Sequence, residues 1–470
     1  MKSTRYNFIL NSIYQIIAIL IPLVTTPYLS RSLGANGIGE YSYSFAIANY
    51  FVLFIMLGLN NYGSRSIARA RDEKENCDKI FWEIYEMQLF IGLIVFLIYI
   101  LFYVFIFNSI IVMILIGYVL SAILDVNWFF IGKEEFKIIV IRNILVKILT
   151  VISIFVFINN DEDVVIYATI MSISLLISNL ILWPYIIKNV KIHKVVVKNV
   201  LKHIKPNLVL FIPVISVSIY KYMDKIMLGS MSSTVEVGYY ENSEKIIQIP
   251  MAFIVALSNV MLPKMSNLAQ KKDGQYGIYI YKSILFSIML VVPMTMGIMA
   301  VANEFVPLFF GKEFDKCILL FKILLPSCLF IAFANVLRTQ FLIPQNREKT
   351  YIISVILGAI INMVLNAILI PYLASVGAAI ATLAAECIVC IVQAVSVRRE
   401  LPIVKYCIDI MPFIIGGIIM YVLVEMINLS NINIILLLAI KIIVGIISYI
   451  VTCVGILLIK RKLCGWKIMG

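Results

Sequence analysis

The chain has 470 residues, 62% of them hydrophobic and 14% charged, and a formal net charge of +13. Globular domains in water carry about a quarter charged residues, so this composition excludes a soluble enzyme or binding module. The basic excess sits mostly in short connections between apolar blocks, which marks membrane orientation and calls for no nucleic-acid partner.

In chain order, apolar blocks near the length that crosses a bilayer predict spans at 8–30, 41–63, 81–107, 109–131, 138–158, 164–187 and 207–229. They continue at 240–262, 283–302, 318–343, 351–371, 375–397, 411–427 and 434–459. None alternates as a barrel strand does, and lipid leaves the backbone only the internal bonds of a helix. The expected fold class is an all-α polytopic membrane protein of about 14 transmembrane helices. The first block follows Lys2 and Arg5 but is too long for a signal core, so it reads as a retained span. With the N-terminus cytoplasmic, the outer connections hold only Arg31, Lys312 and Lys316, and the other loop cations fall inside. That is the positive-inside distribution, and it places both termini in the cytoplasm.

Two stretches echo each other at a constant offset of 199: 29–41 (LSRSLGANGIGEY) and 228–240 (LGSMSSTVEVGYY), with Leu29/Leu228, Gly39/Gly238 and Tyr41/Tyr240 in register. A second echo is 163–169 (DVVIYAT) against 376–382 (VGAAIAT). They predict a six-span unit used twice, as parallel pseudo-twofold lobes, plus two C-terminal helices. The expected domains are an N-terminal lobe (1–187), a basic cytoplasmic linker (188–206), a C-terminal lobe (207–397), and spans 13–14 with a basic tail (398–470). Lysines recur along the linker at 188, 191, 194, 198, 202 and 205, which suits either a helix lying on an anionic leaflet or a tether that sets topology. The turn with Gly34, Gly37 and Gly39 follows no strand, so it reads as a tight inter-helix turn and not a phosphate loop; no Walker-type loop occurs.

Residues 25–31 (TTPYLSR), the turn 34–40, 220–229 (YKYMDKIMLG), 237–240 (VGYY) and 262–264 (LPK) carry a family likeness. The chain resembles the polysaccharide-repeat-unit (Wzx-type) flippases of the multidrug/oligosaccharidyl-lipid/polysaccharide exporter superfamily. The resemblance implies a bacterial plasma-membrane protein with two lobes around a central cavity. It implies a substrate of oligosaccharide on undecaprenyl pyrophosphate, moved from the inner to the outer leaflet, with membrane lipids and polysaccharide polymerase machinery as partners. No cofactor and no metal follow from it.

Buried cations in lipid must face a cavity, pair or snorkel. Arg142, Arg338, Lys245 and Lys322 lie near span ends, where snorkelling accounts for them. Lys147, Lys221, Lys225 and Lys441 are deeper. Lys221, Asp224 and Lys225 share one face of span 7, extended by Ser218, and suit a cationic cavity for an anionic substrate or an internal ionic brace. Span 1 carries Asn7, Asn11, Gln15 and Thr25 near one stripe with Arg31 beyond it, which reads as cavity lining or as helix–helix bonding. Asp125 and Glu386 are candidates for ion coupling or for neutralising a nearby cation. The charged stretch 304–316 reads as a solvated loop.

Within the same fold the alternatives are a cation-coupled multidrug exporter and a peptidoglycan-precursor lipid flippase. The first span lacks the acidic residue that such exporters commonly use, and cationic cavity residues favour an anionic substrate. An enzyme is disfavoured, because His193 and His203 are the only histidines and both fall in the linker. Cys387 and Cys390 form a C-x-x-C inside a span without the further ligands that zinc needs.

Overall fold

The computed structural model describes residues 2–271, 276–429 and 432–464, with side chains described for 20–219, 221–269, 276–429 and 432–460. Among these residues thirteen stretches are long and apolar enough to cross a membrane. One of them, Leu20–Ala70, takes in the end of span 1 and the whole of span 2, so the stretches are consistent with about fourteen spans. It joins α1 (Lys2–Met56) to α2 (Leu59–Ala70), and α1 is broken at Gly34. Gly34 has φ 64° and ψ −178°, a region that only glycine enters without strain. Most of the large exposed apolar side chains along the spans are aliphatic, as in α7 (Ile141, Leu145, Ile148, Leu149, Ile152); such a face is stable only against lipid.

The chain divides into two compact units, Met1–Gly238 and Tyr239–Gly470. In chain order the first contains α1, α2, α3 (Lys74–Phe105), α4 (Ile110–Ile114), α5 (Ile116–Ile123), α6 (Asn127–Gly132), α7 (Phe136–Phe157), α8 (Val164–Leu180), α9 (Trp183–Asn189) and α10 (Val197–Met231). The seventh span, α10, therefore packs with the first six.

Two expectations are corrected here. The fourth span is not one helix but α4, α5 and α6, unwound at 124–126 around Asp125. The basic linker forms no separate helix lying on the leaflet: 191–196 is irregular, and from Val197 the chain is already α10, which runs unbroken through span 7. A span tolerates unwinding only where its freed carbonyls find other donors. Asn179 Nδ2 donates to Ser121 O (2.8 Å), Gln88 Nε2 to Ala122 O and Asp125 O (2.9 Å each), and Trp183 Nε1 to Leu124 O (3.0 Å). Gln88 Oε1 in turn accepts from Trp128 Nε1 (3.0 Å). Because Gln88 is fully buried, Gln88→Leu takes the side-chain donor from Asp125 O and the acceptor from the Trp128 indole N–H at once, whereas Ala122 O keeps a backbone N–H. At about 1–3 kcal/mol for each orphaned buried group, a large fall in the melting temperature of the purified protein is expected.

The turns of the 199-residue echo meet within the first unit, and they do so reciprocally. A Cβ on Gly39 would lie 1.7 Å from Thr234 O, and one on Gly238 would lie 2.0 Å from Ala35 O. Gly39 and Gly238 are equivalent positions of the echo, and so are Ala35 and Thr234. The Thr234 hydroxyl also donates to Asn36 Oδ1 (2.6 Å).

The second unit holds most of α11 (Thr234–Lys271), then α12 (Tyr276–Ala300), α13 (Ala302–Phe309), α14 (Lys316–Leu324), α15 (Ser327–Leu337), α16 (Glu348–Leu373), α17 (Ser375–Val397), α18 (Ile403–Glu425) and α19 (Ile434–Cys464). A π-helical turn, Arg338–Leu342, extends α15. The last two spans are tied to α12: Tyr449 OH donates to Met289 O (2.9 Å), and buried Asp409 accepts from Lys460 Nζ (2.6 Å) and Tyr281 OH (3.0 Å).

Candidate functional site

Ser218, Lys221, Asp224 and Lys225 of α10 lie at i, i+3, i+6 and i+7 spacing and so share one face of the helix. Asp224 and Lys225 are buried, at 3% and 8% exposure, whereas Lys221 is exposed with its ammonium 5.4 Å from the Tyr222 ring centroid. The two lysines that look equivalent in sequence thus occupy different surroundings. Ser218 is buried, but its hydroxyl bonds back to Val214 O (2.9 Å), and Thr25 does the same to Ile21 O (3.0 Å). Both hydroxyls donate to carbonyls of their own helices.

The α1 segment after Gly34 faces α10. Tyr50 OH lies 3.4 Å from Ser218 O, and its ring meets Tyr222 edge-on at 6.4 Å. The same segment carries a lane of aromatic and amide groups that sequence reasoning missed. Tyr41 stacks on Phe45 (5.6 Å), Phe45 stacks on Tyr118 (4.9 Å), and Tyr118 OH donates to Asn49 Oδ1 (2.7 Å). The signal was available as the i, i+4, i+8 spacing of Tyr41, Phe45 and Asn49, masked by the aromatic content of the whole span.

The remaining candidates scatter. Arg31 is exposed past the end of span 1, and Lys147 is half-buried on α7. The side chains of Asn11 and Gln15, like that of Asn7, lie outside the described residues. Asp125 sits at the unwound point of the fourth span, where its Oδ1 accepts from the Asn127 backbone N–H (2.8 Å) and Nδ2 (2.6 Å). Arg142 reaches this group from α7, donating to Asn127 Oδ1 (3.0 Å) and Ser178 O (3.1 Å). Arg142 is only 6% exposed, so it does not snorkel: bonding within the bundle outweighs the reach to the interface. Three other cations assigned to snorkelling also have partners. Lys245 lies 3.5 Å from Glu241, Lys322 lies 3.4 Å from Glu425, and the Arg338 guanidinium lies 5.2 Å from the Tyr351 ring centroid.

In the second unit Lys441 is 4% exposed and its Nζ lies 2.5 Å from Glu304 Oε1. Glu304 is therefore not part of a solvated loop, and Lys441 meets an acid before any substrate. Glu386 is half-buried on α17. A buried polar ladder there also went unread in the sequence: Tyr240 OH and Thr382 Oγ1 are 2.8 Å apart, and Asn366 Nδ2 donates to Asn362 Oδ1 (3.1 Å). Among the described residues no group of three or more His, Cys, Asp or Glu is placed to hold a metal ion.

The chain is 25% identical over 404 residues to a protein of Escherichia coli (strain K12) named as an O-antigen transporter; the match covers 85% of this chain and 97% of that one. It is 29% identical over 164 residues to Agl15 of Haloferax volcanii, named as a low-salt glycan biosynthesis flippase, covering 35% of this chain and 34% of the relative. The solved structure of the lipid II flippase MurJ in an inward closed conformation superposes with a TM-score of 0.72 at 15% identity. That superposition covers 97% of this chain and 99% of the other, a likeness of fold. Residues 5–269, more than half of the chain, match the family described as polysaccharide biosynthesis protein, and the chain belongs to that family.

Proposed function

We propose that the protein is a flippase that carries lipid-linked oligosaccharide across a bacterial plasma membrane for surface polysaccharide export. The observation that carries this reading is membership of the polysaccharide biosynthesis family, joined to a named O-antigen transporter aligned with 85% of the chain. The finer reading has undecaprenyl pyrophosphate as the carrier, inner-to-outer movement by alternating access of the two six-span repeats, and both termini in the cytoplasm. The loop cations support that orientation, since moving them outside would reverse the usual bias.

The chemistry of the first unit supports such a substrate. A pyrophosphate leaving water needs cations to replace its hydration, and Lys221 and Lys225 stand on one helix face for that purpose. The lane from Tyr41 to Tyr118 offers ring faces and an amide to sugar rings. Arg31 and Lys147 join the anion path in this reading, whereas Lys441 is assigned to its Glu304 pair. Asp125, one oxygen of which accepts from Asn127, and Glu386 are the two candidates for ion coupling in this reading. Polymerase machinery takes the delivered repeat units.

The test is the fate of lipid-linked oligosaccharide in cells that lose the protein and in cells with the gene restored. Repeat units are expected to accumulate on the cytoplasmic leaflet while surface polysaccharide disappears, and restoration reverses both. Unchanged glycan with new drug sensitivity would replace this reading with a multidrug exporter. Arrest of peptidoglycan synthesis would point to its lipid precursor.

A further inference from the structure

The linker is pinned to the protein along one side. Buried Asp78 accepts from the Lys191 backbone N–H (3.1 Å), and Trp82 Nε1 donates to Lys191 O (2.9 Å). One turn on, Glu83, also buried, takes Asn199 Nδ2 (2.8 Å), Lys202 Nζ (2.8 Å) and His203 Nε2 (3.2 Å), while Tyr62 OH lies 2.6 Å from His203 Nδ1. These bonds consume the polar side of the segment and hold its backbone in one place.

The other side is apolar and unusually open. Ile192 is 83% exposed, Val197 72% and Val196 61%. Lys194 stands between them and Lys191 and Lys198 flank them, all three exposed. Aliphatic side chains this exposed in a segment fixed by buried acids are unfavourable in water, and lysines at the same level are unfavourable in hydrocarbon. Both are satisfied at an interface, where aliphatic groups dip below headgroups and ammonium groups stay among phosphates. A cleft of about 660 Å³ adjoins this side, lined by Lys74, Lys79, Lys194, Asn76 and His193 along with Glu73 and Glu75. His193 Nε2 is buried there with no hydrogen-bond partner among the described residues.

We infer that the linker and this cleft form a docking surface for anionic phospholipid headgroups, which fixes the entry of span 7 at the leaflet surface. Ile192, Val196 and Val197 seat at the headgroup boundary, Lys191 and Lys198 meet phosphates, and one headgroup phosphate enters the cleft between Lys74, Lys79 and Lys194. The proposal stands apart from the glycan reading: it concerns the supporting lipid and holds whichever lipid-linked substrate is carried.

The experiment follows hydrogen–deuterium exchange at 192–196 with the full chain in nanodiscs, one set of phosphatidylcholine alone and one containing phosphatidylglycerol. Exchange is expected to slow roughly tenfold with the anionic lipid, and high salt should cancel the difference. Lys74→Gln with Lys79→Gln and Lys194→Gln should lose most of that protection, while exchange within α3 and α10 stays as in the wild type and shows the variant folded. Should the triple variant fold poorly, the salt series on the wild-type protein decides alone. Equal exchange in the two nanodiscs overturns the proposal. Equal slowing by inorganic phosphate in phosphatidylcholine nanodiscs also overturns it, in favour of a site for a free anion.

Discussion

Gly39→Val is expected to abolish surface polysaccharide and to cut the amount of folded protein in the membrane. The added Cβ would sit 1.7 Å from Thr234 O, a backbone atom that cannot swing aside as a side-chain tip does. Overpacking of a side chain costs about 1–3 kcal/mol, and a clash with backbone exceeds that because a turn or a helix end must shift. Gly238→Val meets Ala35 O at 2.0 Å and should behave alike. The equivalence of the two positions makes a sharper demand: their effects should be similar in size, and the double variant less than additive, since either one alone already parts the turns. Gly277→Ala supplies the control. No atom lies within 4 Å of its would-be Cβ, and in a helix this change is neutral or stabilising by up to about 1 kcal/mol. Thermal unfolding of purified protein and glycan display in the same strains check all of these, and wild-type behaviour of Gly39→Val would show that the turns do not need to touch.

The second large effect is expected from Lys221→Gln combined with Lys225→Gln. Glutamine keeps most of the length and removes the charge, so transport should fall by at least about a hundredfold if each lysine supplies a charge-assisted contact of about 1.5–3 kcal/mol to the moving anion. The two positions differ in what else changes. Lys221 is exposed, so Lys221→Gln alone should alter stability by no more than about 0.5 kcal/mol, and its loss of transport reads directly as substrate handling. Lys225 is 8% exposed beside buried Asp224, so its single variant should also unfold at a lower temperature. Accumulated lipid-linked oligosaccharide, measured alongside membrane abundance of each variant, separates the two. Full export by a well-expressed double variant would remove both lysines from the path.

Much of the architecture is legible in the amino-acid sequence, because lipid simplifies the problem. A span is a count of apolar residues, and the same constraint that makes it helical makes it visible in the chain, as 434–459 and 351–371 illustrate. The echo at 29–41 and 228–240 marks the turns as equivalent, and Gly34 as a break between spans follows from its position in that turn. The seventh-span face of Ser218, Lys221, Asp224 and Lys225 is legible too, since helical periodicity alone puts these residues together.

Where each charge finds its partner was not legible. Lys441 and Glu304 are 137 residues apart, and Arg142 reaches Asn127 and Ser178 from another helix. Hydropathy treats each of these cations as a cost to be carried by a cavity or an interface, while the folded bundle offers bonds that no local pattern announces. The unwound fourth span was hidden for the same reason: 109–131 is apolar enough to be one helix, and it opens only because Gln88, Asn179 and Trp183 arrive from other elements to take its carbonyls. Composition and periodicity by themselves determined that the chain crosses the membrane, about how often, and which face of span 7 is polar, because those follow from interactions with lipid and from helix geometry. Only the tertiary structure decided which polar groups bond one another and which stay exposed, because a hydrogen bond needs two groups within about 3 Å, and the distances between helices are set by packing across the whole fold.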